Sequence, residues 1–350
     1  MRAWTILTRP MIAAVAAAGL LLATNHNAAR ARADMADHLQ PLPFADAPEV
    51  TGLRLIAAGD AGHPHPRLLI ATQQDQGGMN IVAVAPAGPP QPPEPLAIVE
   101  RNAAWDATPA AGGIAILSSQ AGSAISALVW QIAGQPGHQR VNRRNGFGVF
   151  GAPHYIKGEP EHPVPVTSVA LGGGESRLVL FPPEPDGGYG ALRMLEVPLN
   201  GDLVDARVLR WGAGYLLVMK LALPGPGRPE RAGPDAETIL AGRLDCVRLN
   251  AAMLPEGRTW QPFPGQPVFQ FDAGTVGDGI AILATIGSGA VLSAAGNAGM
   301  RPEVTEFRSA TPLSSPAVLA VGQTLHLAVL DAAGEPDARV LLTEVPAPAP

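Results

Sequence analysis

The 350-residue sequence predicts an all-β fold, a β-propeller of about six blades, seven if an insertion hides a degenerate one. Three observations predict it. Gly 40 and Pro 37 punctuate short apolar runs in a chain that is 47% apolar and only 15% charged. That composition suits many short antiparallel strands and turns, and it is too apolar for a disordered chain. A unit of apolar run, polar Gly-containing turn and second apolar run recurs from end to end. The spacing of those units falls in the range of propeller blades.

The clearest unit spans Gly112 to Ile132: Ile114 to Leu117 rises to a Ser-Gln-Gly turn and Ala127 to Ile132 leaves it. Trp105 to Pro109 introduces it. The first unit combines Leu53–Asp60, Arg67–Thr72 and Met79–Val84, and a Pro-rich connector, Ala87–Pro95, follows. The third runs from Val166 through Arg177–Phe181 to Leu192–Val197. The fourth joins Val208–Met219 to Gly242–Leu249. The fifth is Ala273–Leu283 with Ala290–Ala294. The sixth is Ala317–Leu330 with Ala338–Val345. Residues 279–296 are uncharged, but a Gly-Ser-Gly centre reads as two buried strands and a turn, not a membrane helix.

The first strand residues after each Gly turn are Leu68, Ile114, Leu178, Tyr215, Ile280 and Leu325. Their steps are 46, 64, 37, 65 and 45. The two long steps hold insertions around 134–165 and 224–268. One propeller domain is expected over 51–345, with an extended lead-in at 34–50 and a Pro-rich tail at 346–350.

Residues 1–33 read as a signal peptide. Arg2 and Arg9 precede an apolar run from Met11 to Ala23, too short to span a membrane comfortably, and Ala31-Arg32-Ala33 offers a small-x-small cleavage site. The expectation is an exported chain, periplasmic or secreted after cleavage near Ala33, with no membrane span in its mature form. An uncleaved N-terminal anchor is the alternative.

The formal charge is −6, from Lys+Arg 24 and Asp+Glu 30. The leader holds Arg2, Arg9, Arg30 and Arg32 and no acid, so the mature chain is more acidic still. Apart from one loop, such a chain lacks the clustered bases that nucleic-acid phosphates require. Cys246 is the sole cysteine. It excludes an internal disulfide, a thiolate metal cluster and haem attachment, and its alternating surroundings suit a small core residue.

Ala57-Ala58-Gly59-Asp60-Ala61-Gly62, followed by Leu68–Thr72, resembles a unit of the FG-GAP/VCBS-type propeller families. Gly146-Phe147-Gly148 and Gly151-Ala152-Pro153 echo their FG and GAP words. The resemblance implies a propeller. Calcium is not implied, because Asp60 alone stands where those families place several acids.

No GxSxG, HExxH, GxxxxGK[ST] or strand-to-helix GxGxxG occurs. No cofactor and no metal is expected. His63-Pro64-His65 has a usable ligand spacing but no third ligand. The distinctive segment is the 137–157 insertion, where Arg140, Arg143, Arg144 and Lys157 mingle with Phe147, Phe150, His154 and Tyr155. Arginine forks suit carboxylates and phosphates, and aromatic rings add contact area. Read as a loop on one propeller face, it would bind a small anionic ligand or a protein partner; a solvated insertion with tucked phenylalanines is the plainer alternative.

The sequence therefore favours an exported, non-catalytic propeller that binds through its insertions. The alternative is a propeller enzyme of hydrolase, lactonase or dehydrogenase type with a site at the central channel. Asp60, Asp106 and Asp278, near strand starts, are its candidates. The Gly, Ala, Leu and Val residues assigned to the inward positions predict an apolar channel and count against it. Five Trp and three Tyr count against a carbohydrate binder.

Overall fold

The computed structural model describes residues 31–34, 40–41, 50–59, 64–73, 78–84, 93–111, 113–121, 126–133, 142–145, 149–158, 163–170, 176–184, 188–197, 199–222, 241–287, 289–295, 303–309, 311–331 and 339–348. Two short strands, β1 (Ala31–Asp34) and β2 (Gln40–Pro41), precede the first blade. Blade 1 holds β3 (Val50–Ala58), β4 (His65–Gln73), β5 (Gly78–Val84) and β6 (Glu94–Glu100). Blade 2 holds β7 (Trp105–Ala110), β8 (Gly113–Ala121), β9 (Ser126–Ala133) and β10 (Asn142–Asn145). Blade 3 is built from β11 (Val149–Phe150), β12 (His154–Tyr155), β13 (Pro165–Ala170), β14 (Ser176–Leu180) and β15 (Arg193–Leu195).

Blade 4 comprises β16 (Leu203–Trp211), β17 (Gly214–Ala222), β18 (Gly242–Leu249) and β19 (Pro255–Trp260). Blade 5 comprises β20 (Gln270–Val276), β21 (Gly279–Thr285), β22 (Gly289–Ala295) and β23 (Glu303–Arg308). Blade 6 comprises β24 (Leu313–Val321), β25 (Thr324–Asp331) and β26 (Arg339–Pro346). The six sheets make a six-bladed β-propeller, and Gly279–Thr285 and Gly289–Ala295 are two strands of blade 5.

The ring closes through the start of the chain. Strand β2 pairs antiparallel with β26, Gln40 opposite Leu342 and Pro41 opposite Leu341, and so supplies the fourth strand of blade 6. A proline suits that outermost position, where no further strand needs its N–H. Strand β1 runs parallel to β23 as a fifth strand of blade 5.

Six apolar clusters among the described residues each join one blade to the next. Blades 1 and 2 share Ile56, Leu69, Ile81, Trp105, Ile114 and Ile116, among others, and blades 6 and 1 share Leu53, Leu68, Ile70, Ala317 and Leu330. Successive residues of one strand thus serve opposite neighbours: Ile114 and Ile116 face blade 1, whereas Ala115 and Leu117 face blade 3. Strands buried on both faces read as continuous apolar runs. That is why Gly112–Ile132 carries no charge.

Five of the six sequence anchors (Leu68, Ile114, Tyr215, Ile280, Leu325) lie on the second strand of their blades, but Leu178 lies on the third strand of blade 3. The innermost strand there is broken into β11 and β12, and both halves pair with β13. With Pro165, the first residue of β13, in place of Leu178, the flanking steps become 51 and 50. The insertion at 134–165 therefore contains the edge strand of blade 2 and the inner strand of blade 3.

Candidate functional site at the mouth of the channel

The inner strands are β3, β7, β11/β12, β16, β20 and β24, and charged side chains join them in a belt. On β3, Arg54 donates through Nε to Asp106 Oδ1 at 2.9 Å, and through its terminal nitrogens to the carbonyls of Leu53 and Trp105, each at 2.7 Å. Asp106, on β7, uses Oδ2 to accept the Tyr155 N–H at 2.8 Å. His154 Nε2 lies 3.0 Å from Asp205 Oδ1 on β16. Its Nδ1 is 3.7 Å from Asp106 Oδ2, a charge neighbour beyond hydrogen-bond reach.

The belt continues on the other side. Arg207 donates to Asp205 Oδ1 at 2.7 Å, to the Ala206 carbonyl at 3.0 Å and to the Phe271 carbonyl at 3.2 Å. Its Nε is 3.6 Å from Asp272 Oδ1. Lys157 Nζ reaches both oxygens of Asp272, at 2.6 and 2.7 Å, and Asp272 Oδ2 also accepts the Val318 N–H at 2.9 Å.

Half of this belt repeats the other half. Arg54 stacks over Trp105 at 5.1 Å and bonds to the following residue, Asp106; Arg207 stacks over Phe271 at 4.9 Å and faces the following residue, Asp272. Each aspartate then accepts a backbone N–H from the next inner strand, Tyr155 in one half and Val318 in the other. The two sets stand three blades apart, a half-turn of a six-bladed ring. Even Pro153-His154-Tyr155 is matched, by Pro316-Ala317-Val318. The halves differ at two positions, where Asp205 corresponds to Gly52 and His154 to Ala317.

The three carboxylates are buried, and burial alone would raise them. In Asp106 the neighbouring His154 and the Arg54 guanidinium outweigh burial and hold the carboxyl well below the usual carboxylate range. Arg207 and His154 do the same for Asp205. Lys157 and Arg207, with the Val318 N–H, lower Asp272. Burial disfavours the Arg207 cation, but Asp205, Asp272 and Asp106 reverse that and raise it. All three aspartates are therefore ionised at neutral pH, set against the basic side chains of Arg54, Lys157 and Arg207.

A cavity of about 430 Å³ opens over this belt. Thr51, Gly52 and Arg54 of blade 1, Asn102 to Trp105 before and on β7, Ala152 and His154, Asp205 and Arg207, Gln270 and Phe271, and Ser315 and Pro316 wall it. These are largely the residues where inner strands begin, so the cavity lies at one mouth of the channel. Asn102 and Ser315 hold left-handed backbone conformations, φ 58° and 47°. Two of the three described non-glycine residues with positive φ thus sit in this wall, and such conformations concentrate at functional sites.

The sequence candidates divide between several places. His154, Asp106 and Lys157 meet in the belt, and Tyr155 joins it through its N–H. Arg143 and Arg144 lie on β10, the outer edge of blade 2. Arg140, Phe147 and Asp60 fall outside the described residues. Segment 137–157 is thus not one surface loop, because its second half is the broken inner strand of blade 3. Asp278 occupies the exposed turn between β20 and β21 and accepts the Trp211 Nε1–H through its carbonyl, away from the channel mouth.

The expected apolar channel is also corrected. The apolar strands used for that expectation are second strands, and the true inner strands carry Arg54, Asp106, Asp205, Arg207 and Asp272. Sequence reasoning missed four of these five. Their signal was an Arg followed about one blade later by an aromatic-Asp pair, and it occurs only twice.

No family model matches the chain, and no curated protein matches it. Solved structures do. A fungal lectin from Aleuria aurantia, described as a six-bladed β-propeller, superposes with a TM-score of 0.51 at 13% identity, over 89% of this chain and 99% of that one. Trypanosoma rangeli sialidase, in complex with sialic acid, gives 0.50 at 10% identity, over 87% of this chain and 56% of that one. A subtype N10 neuraminidase-like protein of A/little yellow-shouldered bat/Guatemala/060/2010 gives 0.53 at 9% identity, over 89% and 98%. At these identities the similarity establishes the six-bladed propeller fold alone.

Proposed function

We propose that this protein is a non-catalytic ligand-binding propeller whose site is the cavity at the channel mouth. The observation that carries the reading is that cavity of about 430 Å³, within the size range of small-molecule sites, set on a belt of paired charges. This reading puts the ligand at the rigid mouth and not on the 137–157 segment as a loop. The lectin among the structural neighbours is consistent with a binding role for such a fold and does not identify the ligand.

The chemistry favours binding over turnover. A general acid working near neutral pH needs a raised carboxyl, and all three belt aspartates are lowered. The Cys246 thiol is buried and pushed up by that burial, which leaves it a poor nucleophile.

One observation favours a second reading. His154 beside Asp205 at 3.0 Å is an imidazole–carboxylate pair of the kind that orients a base in hydrolytic sites, with Nδ1 buried toward Asp106. Under that reading, chromogenic esters or glycosides would be turned over by the wild-type protein and not by His154→Asn.

The chain is also proposed to be exported, on the strength of Arg2, Arg9, the Met11–Ala23 run and Ala31-Arg32-Ala33. Mass spectrometry of protein expressed with its leader should find Asp34 at the new N-terminus; an intact Met1 would count for the anchor.

The binding reading is tested by thermal-shift screening of small polar compounds, anionic and neutral, against the wild type and Ala152→Phe. Filling the mouth at Ala152 should abolish each response while far-UV circular dichroism stays unchanged. Responses that persist undiminished in the folded variant would sink the reading.

A further inference from the structure

The wall of the cavity holds several unused donors, and several of its acceptors are taken. The Asp205 carboxylate is the one acid in the wall; its Oδ1 already meets His154 Nε2, the Ala206 N–H and Arg207, and its Oδ2 has no hydrogen-bond partner among the described residues. The Trp105 and Phe271 carbonyls are occupied by the two guanidiniums. The Ala104 carbonyl accepts the Ser119 N–H.

The donors are in the opposite state. Each of Arg54 and Arg207 makes three hydrogen bonds to protein oxygens with the five N–H groups a guanidinium carries. Gln270 Oε1 accepts the Ser315 N–H. Since a backbone N–H demands an acceptor, that bond fixes the amide's orientation, and Nε2 has no partner among the described residues. Trp105 Nε1 is likewise without a partner among the described residues, and it is not among the buried atoms sealed without one.

Gly52 keeps that indole accessible. A Cβ at position 52 would stand 3.2 Å from Trp105 Nε1. The corresponding residue in the other half of the ring is Asp205, so only one of the two equivalent positions carries an acid. Two guanidiniums, a primary amide and an indole N–H against one carboxylate, engaged through one oxygen, make a wall complementary to a ligand that brings acceptors.

We infer that the ligand held at this mouth presents an oxyanion, a carboxylate or a phosphate-type group, to Arg54, Arg207, Gln270 Nε2 and Trp105 Nε1. The inference rests on the reading of the cavity as a ligand site. Gln270 and Gly52 then set specificity, the first by supplying donors and the second by leaving the indole uncovered.

The test follows the Trp105 indole N–H by heteronuclear NMR, assigned with Trp105→Phe, during titration with benzoate, phenyl phosphate, benzamide and myo-inositol. Benzoate or phenyl phosphate should move this resonance in a saturable way, and whichever does so distinguishes carboxylate from phosphate. The neutral compounds should move it at least tenfold less effectively. Gln270→Glu keeps the acceptor for Ser315 but replaces the amide donors with a second carboxylate oxygen, so it should weaken anion binding at least tenfold. Gly52→Ala should also weaken it. If benzamide or myo-inositol binds as well as the anions, the oxyanion inference falls and the cavity remains a ligand site. If no probe moves the resonance and the wider screen finds no ligand, both fall.

Discussion

Arg207 repeats, three blades on, the position of Arg54. Each guanidinium stacks on an aromatic ring of the following inner strand, Trp105 or Phe271, and bonds that residue's carbonyl. Each also faces the next residue, Asp106 or Asp272. The six-bladed ring is thus fastened twice, at opposite sides of its channel, by the same device. The cavity lies where the two halves stop matching, with Gly52 on one side and Asp205 with His154 on the other.

Removing one cation of this belt should cost far more than a surface ion pair. Arg54→Met leaves the buried Asp106 carboxylate with its backbone donor but no guanidinium, a loss of about 3–5 kcal/mol for a broken buried pair. Chemical denaturation measures it. Arg54→Lys should fall between, since a single ammonium cannot serve Asp106 and both carbonyls. A loss below about 1 kcal/mol for the methionine variant would show that the belt does not hold the ring.

The belt predicts the acid limb of stability. Asp106, Asp205 and Asp272 are lowered in the folded state, so their stabilisation is complete above the unfolded carboxylate value, about 3.9. Below it, the unfolded chain binds protons that the folded chain refuses, and stability falls with pH. Melting temperature should therefore change little from these groups between pH 7 and 5, then drop steeply below about pH 4. Asp272→Asn should be less stable at pH 7 and show a shallower drop.

The turn between β16 and β17 depends on two glycines. Gly212 has φ 55°, and a Cβ on Gly214 would stand 2.2 Å from the Leu249 carbonyl oxygen. That neighbour is backbone and cannot rotate away. Gly214→Ala should cost about 1–3 kcal/mol in denaturant unfolding as the β17–β18 pair is pushed apart. Wild-type stability in this variant would mean that the hairpin shifts freely.

Ring closure through β2 makes the N-terminal segment part of the fold. Cleavage after Ala33 removes three of the four residues of β1 but leaves Gln40 and Pro41 on β26. A chain beginning at Asp34 should keep its propeller, whereas one beginning at Ala45 exposes the β26 edge. Loss of that pairing should lower the melting temperature by about 1–3 degrees, since about 1 kcal/mol moves a domain of this size by a few degrees or less. Equal melting of the two truncations would argue that β2 contributes nothing.

Cys246 should stay silent to thiol reagents in the native protein. It is fully buried between blades 4 and 5, and burial pushes its thiol up. Labelling should appear only with unfolding, which makes the residue a probe of global opening.

Much of the fold was legible because it is a matter of pattern. Apolar runs, Gly turns and their spacing follow from strands that bury both faces against neighbouring blades, and they fix the class and the six units. The broken inner strand of blade 3 escaped because Val149–Phe150 and His154–Tyr155 are too short to read as strands; Gly151 separates them where a Cβ would stand 2.1 Å from Ser168 Oγ.

The sequence alone determined that this is an all-β repeat protein with one core cysteine and no standard catalytic motif. Those properties reside in composition and local periodicity. Which charges meet was decided only by the closed ring. Arg54 and Asp106 are 52 residues apart, Lys157 and Asp272 are 115 apart, and the propeller brings each pair to a shared axis. No local rule couples such positions. The mouth and its donors come into being when six inner strands converge.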